Sequence, residues 1–348
     1  MNSFFIEFRD PLFGLIVFFV LIFVITFFSY WWGRYKYKED SKHLDKFLKN
    51  FRTPPSQSEL SNLISSGELS EKSWLLLAQS YFKSGDYEKS IEIYNELLHI
   101  TTVENKQEIM FLLGKTYFKA GFLERSKQIF LEILKKSPRT PQALQYLLLV
   151  YERLRDYKSA MDVLEPLDAL ESDIALDTLY LKSLALLNNH KFTTEQKSLK
   201  LFEFYQSEHK LTYMIFEYLF KNNPELAWKS FDYSKCERLS DIFWRMDKKD
   251  LDFDIISNNG YLRDLYSARG DYNLSDSSSI FEFDVLINLQ KKESATLNFE
   301  YVCSSCQQVY PFAFSRCSHC HSIDTQIVEF SLVKNYSRSF GEESNSFQ

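Results

Sequence analysis

Four cysteines near the C-terminus, Cys303-x2-Cys306-x10-Cys317-x2-Cys320, have the residue type and spacing to do chemistry together. Each Cys-x-x-Cys forms a tight knuckle that points two thiolates at one centre, and two knuckles complete a tetrahedron. The spacing predicts one metal ion held by Cys303, Cys306, Cys317 and Cys320. Redox-active dithiols or disulfides are the alternative. Five cysteines in 348 residues are too sparse for a disulfide scaffold, and no thioredoxin-like βαβ pattern surrounds the pairs. Zinc and iron both accept four thiolates in this geometry, so the spacing leaves the metal open. His319 and His321 flank Cys320, but four cysteines already fill the set. Both histidines are expected at the surface or hydrogen-bonded to the ligands. Between the knuckles stand Val309, Tyr310, Phe312, Ala313 and Phe314, with Arg316 as the one cation. A nucleic-acid-binding ribbon would carry more cations there. The apolar residues predict a packing face against the preceding helices or a partner. Metal binding can supply on the order of 10 kcal/mol of folding free energy to so small a module, a purely structural role.

No other stretch offers catalytic machinery. There is no phosphate-cradling glycine loop and no Gly-x-Ser-x-Gly elbow. His43, His99, His190 and His209 stand singly, without a cysteine or carboxylate at a fixed spacing. Cys236 is expected to be a buried small hydrophobe rather than a reactive thiol. The expectation is a non-enzymatic protein with no catalytic residue and no organic cofactor.

The elements that position the cysteines follow from composition and period. Only 9 Gly and 8 Pro occur in the chain, while aromatics reach 17%. So few breakers disfavour turn-rich β architectures and favour long helices with a large core. After the breaker cluster Thr53-Pro54-Pro55-Ser56 the chain repeats itself. Trp74, Leu77, Ala78 and Tyr81 lead to Gly85-Asp86-Tyr87, then to Ser90, Tyr94 and Leu97. The same offsets recur at Met110, Leu113, Gly114, Tyr117, Gly121, Ser126, Phe130 and Ile133, closed by Pro138. They recur again at Leu144, Leu147, Leu148, Tyr151, Asp156-Tyr157, Ala160, Leu164 and Leu167. Each copy describes two antiparallel helices that approach at a small residue.

This pattern resembles tetratricopeptide repeats in its period and in its aromatic, small and proline positions. Later copies are weaker. Two helical patterns lie between 174 and 206; Tyr218, Ala227 and Phe231 keep one repeat's spacing; and Leu262, Tyr266 and Gly270-Asp271-Tyr272 echo another. Five or six helix pairs are expected from 57 to 292, stacked into a superhelix whose concave face binds proteins. A helix from Ser279 to Lys292, capped by Ser279 and Glu282, should precede strands near Leu297–Val302 and Ile327–Leu332.

From Pro11 to Gly33 no residue is charged. As a helix this run is about 35 Å long, enough for a hydrocarbon core about 30 Å thick. It ends in Tyr30, Trp31 and Trp32, which suit a membrane interface, and it lacks the small-residue cleavage site of a signal peptide. Arg9 alone precedes it, whereas Arg34, Lys36, Lys38, Lys42, Lys46, Lys49 and Arg52 follow. That asymmetry predicts an N-terminus facing out and a cytoplasmic body. The whole chain carries a net charge of −6, and the body beyond the basic flank is more acidic still. Bulk nucleic-acid binding is therefore not expected.

Anchor, repeats and cysteine spacing in this order resemble lipopolysaccharide assembly protein B of Gram-negative bacteria. The likeness covers the anchor through Trp32-Gly33-Arg34, the repeats from about 57, and the rubredoxin-type spacing of 2, 10 and 2. Rubredoxin-like knuckles often carry Gly after the second cysteine and Pro after the third; this chain has Gln307 and Ser318. The resemblance implies an all-α fold class with six segments: a short periplasmic N-terminus (1–10), a single inner-membrane span (11–33), a basic juxtamembrane helix and linker (34–56), repeats (57–292), a rubredoxin- or zinc-ribbon-like module (293–333) and a polar tail (334–348). It further implies an adaptor between a membrane protease and the deacetylase that commits carbon to lipid A, or a collector of lipopolysaccharide assembly components. Self-association stays open. The competing readings are a rubredoxin-like electron carrier and a scaffold for another envelope complex.

Overall fold

Helix ends in the repeat region follow from a few capping residues. Ser70 accepts from the Ser73 amide and opens α1 (Glu71–Ser84). Gly85, at φ +85°, closes it: its N–H donates to Phe82 O, and the next amide donates to Tyr81 O. A left-handed residue at this position is the usual end of such a helix, and glycine adopts it without Cβ strain. Asp86 then caps α2 (Tyr87–Ile100) by accepting from the Lys89 amide. The turn recurs at Gly121, φ +85°, between α3 (Val103–Ala120) and α4 (Leu123–Lys136). It recurs once more after α5 (Pro141–Arg153), where Arg155 takes φ 59° in place of glycine before α6 (Tyr157–Asp168).

The computed structural model describes residues 18, 20–28, 64, 70–101, 103–170, 173–289 and 294–334. Two compact units divide at Asp156 and Tyr157, within the third copy of the sequence repeat. In the first unit α1 to α5 pack each on the next. Trp74, Leu77, Ala78, Ser90, Tyr94 and Leu97 are buried, as are their counterparts Met110, Leu113, Ser126, Phe130 and Ile133. The large and small repeat positions read from the sequence are therefore core positions, while the aromatic Tyr81 and Tyr151 are half-buried. Gly114 shows why one of them must be small. A Cβ there would lie 2.9 Å from the Phe130 ring and 3.1 Å from Ile129 Cγ2, while Ser126 Oγ donates to Gly114 O at 2.9 Å.

Residues 20–28 are helical, with Phe, Val, Leu and Ile side chains exposed. The remainder of the expected 11–33 span, apart from Phe18, lies outside the described residues, as do the 1–10, 34–56 and 335–348 segments. Among the described residues no helix is long and apolar enough to cross a membrane.

The second unit begins with α6 and α7 (Ala175–Leu187), then α8 (Thr194–Glu208), which opens with a capping box between Thr193 and Gln196. Next come α9 (Thr212–Asn222) and the short α10 (Pro224–Ser230), joined through Asn223, which caps α10. Beyond this the regular pairing stops. A 3₁₀ helix (Tyr233–Leu239) leads through α11 (Ser240–Arg245) and α12 (Phe253–Asn258) to α13 (Gly260–Arg269). Gly270 caps α13 at φ +87°, as the repeat echo predicts, but the helix that packs back on α13 starts only at Phe281, after a loop over 271–280, with Phe283 meeting Tyr261 at 5.5 Å between ring centroids. Ser275 and Ser278 donate to the Asp264 carboxylate at 2.6 and 2.7 Å and hold the loop against α13. The expected capping box at Ser279 and Glu282 does not form. Helix α14 spans Phe281–Asn288, its N-cap is Ile280, and no side chain caps it. Ser278 competes for that role: it accepts from the Ile280 amide and fixes the loop before the helix starts. Residues 290–293 lie outside the described residues.

The chain ends its described part in a three-stranded antiparallel sheet of order β2-β1-β3, with β1 (Ala295–Cys303), β2 (Val309–Tyr310) and β3 (Gln326–Lys334). The molecule is thus mostly helical with a small β module, rather than all-α throughout. Alternation along β1 buries Leu297, Phe299 and Tyr301. These residues enter the same core as Phe216, Phe243, Leu265 and Phe283 of the helices. Phe330 of β3 stacks on Phe283 at 5.2 Å between ring centroids.

Candidate metal centre

Two knuckles of matching geometry build the site. In the first, the Gln307 amide donates to Cys303 O at 2.8 Å and the Cys303 amide to Gln308 O at 3.0 Å. In the second, the His321 amide donates to Cys317 O and the Cys317 amide to Ser322 O, both at 2.9 Å. The residue after the second cysteine of each knuckle is left-handed: Gln307 at φ 60° and His321 at φ 65°. This is the position where such knuckles favour glycine, and here ordinary side chains carry the same turn. The β1–β2 hairpin frames the first knuckle and an Arg316↔Ile323 bridge frames the second.

All four Sγ atoms lie within 4.8 Å of one another. Cys303 and Cys320 approach to 3.6 Å, and Cys306 and Cys317 to 3.7 Å. Cys303 and Cys317 are buried; Cys306 and Cys320 are half-buried. The set could hold a metal ion. Thr325 Oγ1 at 3.2 Å from Cys303 and Tyr310 OH at 3.2 Å from Cys317 supply hydrogen bonds to sulfur. Burial opposes charge on Cys303 and Cys320, but hydrogen bonds with Thr325 and Ser322 outweigh it. Both thiols fall below the usual range, Cys320 to about 6. For Cys306 the Gln308 amide favours the thiolate, yet burial and the neighbouring thiols push it up to about 12. Hydrogen bonds among the thiols hold protons at this centre, and a cation would displace those protons and let all four deprotonate. Either zinc or iron suits four sulfur donors.

The helices hold the second knuckle from both sides. Arg316 donates to Asp177 of α7 at 2.8 Å, stacks over Tyr180, and also donates to His321 O. Asp324, left-handed at φ 55°, accepts from Arg238 at 3.0 Å and from the Leu211 amide at 3.0 Å. Tyr310, Ala313 and Phe314 pack on the shared core, as the apolar loop predicts, but Phe312 projects outward and is 80% exposed. His319 is exposed, and neither it nor His321 belongs to the sulfur cluster.

Elsewhere, His99, His190 and His209 are exposed, while His43 lies outside the described residues. Cys236 is buried and its thiol is pushed up to about 12, chiefly by burial, so it behaves as the small hydrophobe expected. One polar cluster escaped sequence reading. Asp241, 1% exposed, accepts from Tyr213 OH and Tyr301 OH, both at 2.7 Å. Burial, with the carboxylate beside them, pushes Tyr213 up and Tyr301 up to about 12. The partners stand 28 and 60 residues apart, and no local spacing announces them.

Comparison with known proteins agrees with the repeat reading at one place. A tetratricopeptide-repeat family model matches residues 71–101. That stretch is α1 and α2. A search of curated proteins gives no match. Among solved structures, one titled "MamA RS-1 ArsTM double mutant" is similar at 17% identity, covering 51% of this chain and 93% of that chain, with a TM-score of 0.35.

Proposed function

We propose that this chain is a non-enzymatic adaptor that binds proteins through its helical repeats and is tethered to the inner membrane by residues 11–33. The observation that carries the reading is the register of the repeat. Its large and small positions recur as buried positions through α1 to α5, and the family model falls on the first pair. Repeats of this kind present side chains to protein partners rather than to small substrates. The four cysteines act in this reading as a structural metal site, zinc or iron, that keeps the β module folded onto the helices. By resemblance, the partners are a membrane protease and components of lipid A synthesis or lipopolysaccharide assembly. The charge asymmetry around residues 11–33 supports a periplasmic N-terminus and a cytoplasmic body.

A tether raises the effective concentration of partners at the membrane without adding a contact. Removing residues 1–33 should therefore leave a body that folds and still binds its partner, yet fails to restore function in a deletion strain. If the shortened chain restores function as well as the full chain, the tethered-adaptor reading is wrong. An iron-loaded protein that loses function when zinc replaces the iron would favour the electron-carrier reading instead.

A further inference from the structure

A cavity of about 790 Å³ opens beside the buried Asp241, between the helices of the second unit and the loop that carries Phe312. Its floor is acidic. Asp241 Oδ2 is occupied by the two phenols, but Asp241 Oδ1 is buried and has no partner. A buried carboxylate oxygen without a hydrogen bond costs stability unless something else meets it. Glu217 lines the same cavity, and burial, then the neighbouring Asp241, pushes its carboxyl upward. Asp247 and Asp250 add two more carboxylates at the rim, against Lys221 and Arg245. Arg245 does not cancel the floor: it stands 3.9 Å from the already occupied Oδ2, is largely exposed, and lies over the Phe299 ring.

We propose that this cavity receives an arginine side chain from a partner protein, with the guanidinium on Asp241 Oδ1 and Glu217 and its planar face and stem against Phe312. The cavity's chemistry selects that occupant. A bare divalent cation would need about six oxygen donors, whereas Pro311, Phe312 and Ile242 make much of this wall apolar. Arginine combines a forked donor for carboxylates with a flat face that stacks on aromatic rings. Phe312 is the exposed aromatic such a contact needs. It belongs to the loop between the knuckles, so the metal module would act as one jaw of a binding site. This site is separate from the repeat surface, and its failure would leave the adaptor reading standing.

The test is a titration of the purified full chain with the peptide Gly-Gly-Arg-Gly-Gly, read by ligand-observed NMR. The same peptide with citrulline in place of arginine serves as the neutral isostere. Arginine should bind saturably and at least tenfold more tightly than citrulline. Asp241→Asn keeps an acceptor for both phenols but turns a donor into the cavity, and should weaken arginine binding at least tenfold. Phe312→Ala touches no core and should weaken it about threefold. Lys221→Ala removes a competing cation and should strengthen it about twofold, a gain that a loss of fold cannot produce. Equal binding of the two peptides, no saturable binding, or undiminished binding by Asp241→Asn with Phe312→Ala would overturn the proposal.

Discussion

Gln307 holds a conformation that costs an L-residue roughly 1–2 kcal/mol relative to the right-handed region, and does so because the knuckle needs its amide on Cys303 O. Its side chain is exposed and reaches only Ser304 O, at 3.1 Å. Gln307→Gly should therefore stabilise the module by up to about 1 kcal/mol, the relief of strain being offset by the entropy of an unfolded glycine. Gln307→Val should destabilise it, because a β-branched residue tolerates that region least. Thermal melts of the metal-loaded protein measure both. The thiols themselves are a sharper case. Cys317→Ser removes the buried sulfur that Tyr310 OH approaches, and elemental analysis should show the metal content falling from near one per chain. Full occupancy in that variant would remove the four-thiolate site. These ligands were legible in the sequence because two knuckles are local objects, each closed within a few residues. Asp241 was not, since only the folded core brings Tyr213 and Tyr301 to it.

Helix pairs of the first unit depend on small residues where two helices come closest. Gly114→Ala would put a methyl group against the buried Phe130 ring and Ile129, and overpacking of this kind costs about 1–3 kcal/mol. The expected result is a lower midpoint in chemical denaturation with an unchanged m-value. A variant as stable as the parent would mean that α3 and α4 part without penalty. The same small position, followed by the glycine turn, is what makes α1 to α5 readable: contacts between neighbouring helices repeat with the sequence period. From α10 onward the rule fails. Helices there are six to ten residues long, and their positions follow the aromatic cluster of Phe220, Trp228, Phe231 and Phe243. Packing that crosses many residues leaves no period to read. The Gly270-Asp271-Tyr272 echo was right in its local part: the capping turn forms, and the helix that packs back on α13 is there but starts late, at Phe281, because Ser275 and Ser278 fasten the intervening loop to Asp264.

Across the second unit, strand residues and helix residues share one core, so the metal module is not an appendage. Leu297, Phe299, Tyr301 and Val328 are buried with Phe283 and Tyr213. Removing the metal by chelation should therefore speed hydrogen exchange in α9 and α14 as well as in β1 and β3, as expected for one cooperative unit. Exchange confined to residues 294–334 would instead mark an independently folding module. The burial of the four sulfurs carries a separate consequence for how the centre would come apart. Each knuckle turns its first cysteine inward and leaves its second half-open to solvent. An electrophile or an oxidant arriving from outside meets Cys306 and Cys320 first, one from each chelating turn. Damage would then strike both halves of the donor set at once, while Cys303 and Cys317 stay shielded by the core. The centre would lose its grip in pairs, and a thiol-modifying reagent would release the ion after two additions rather than four.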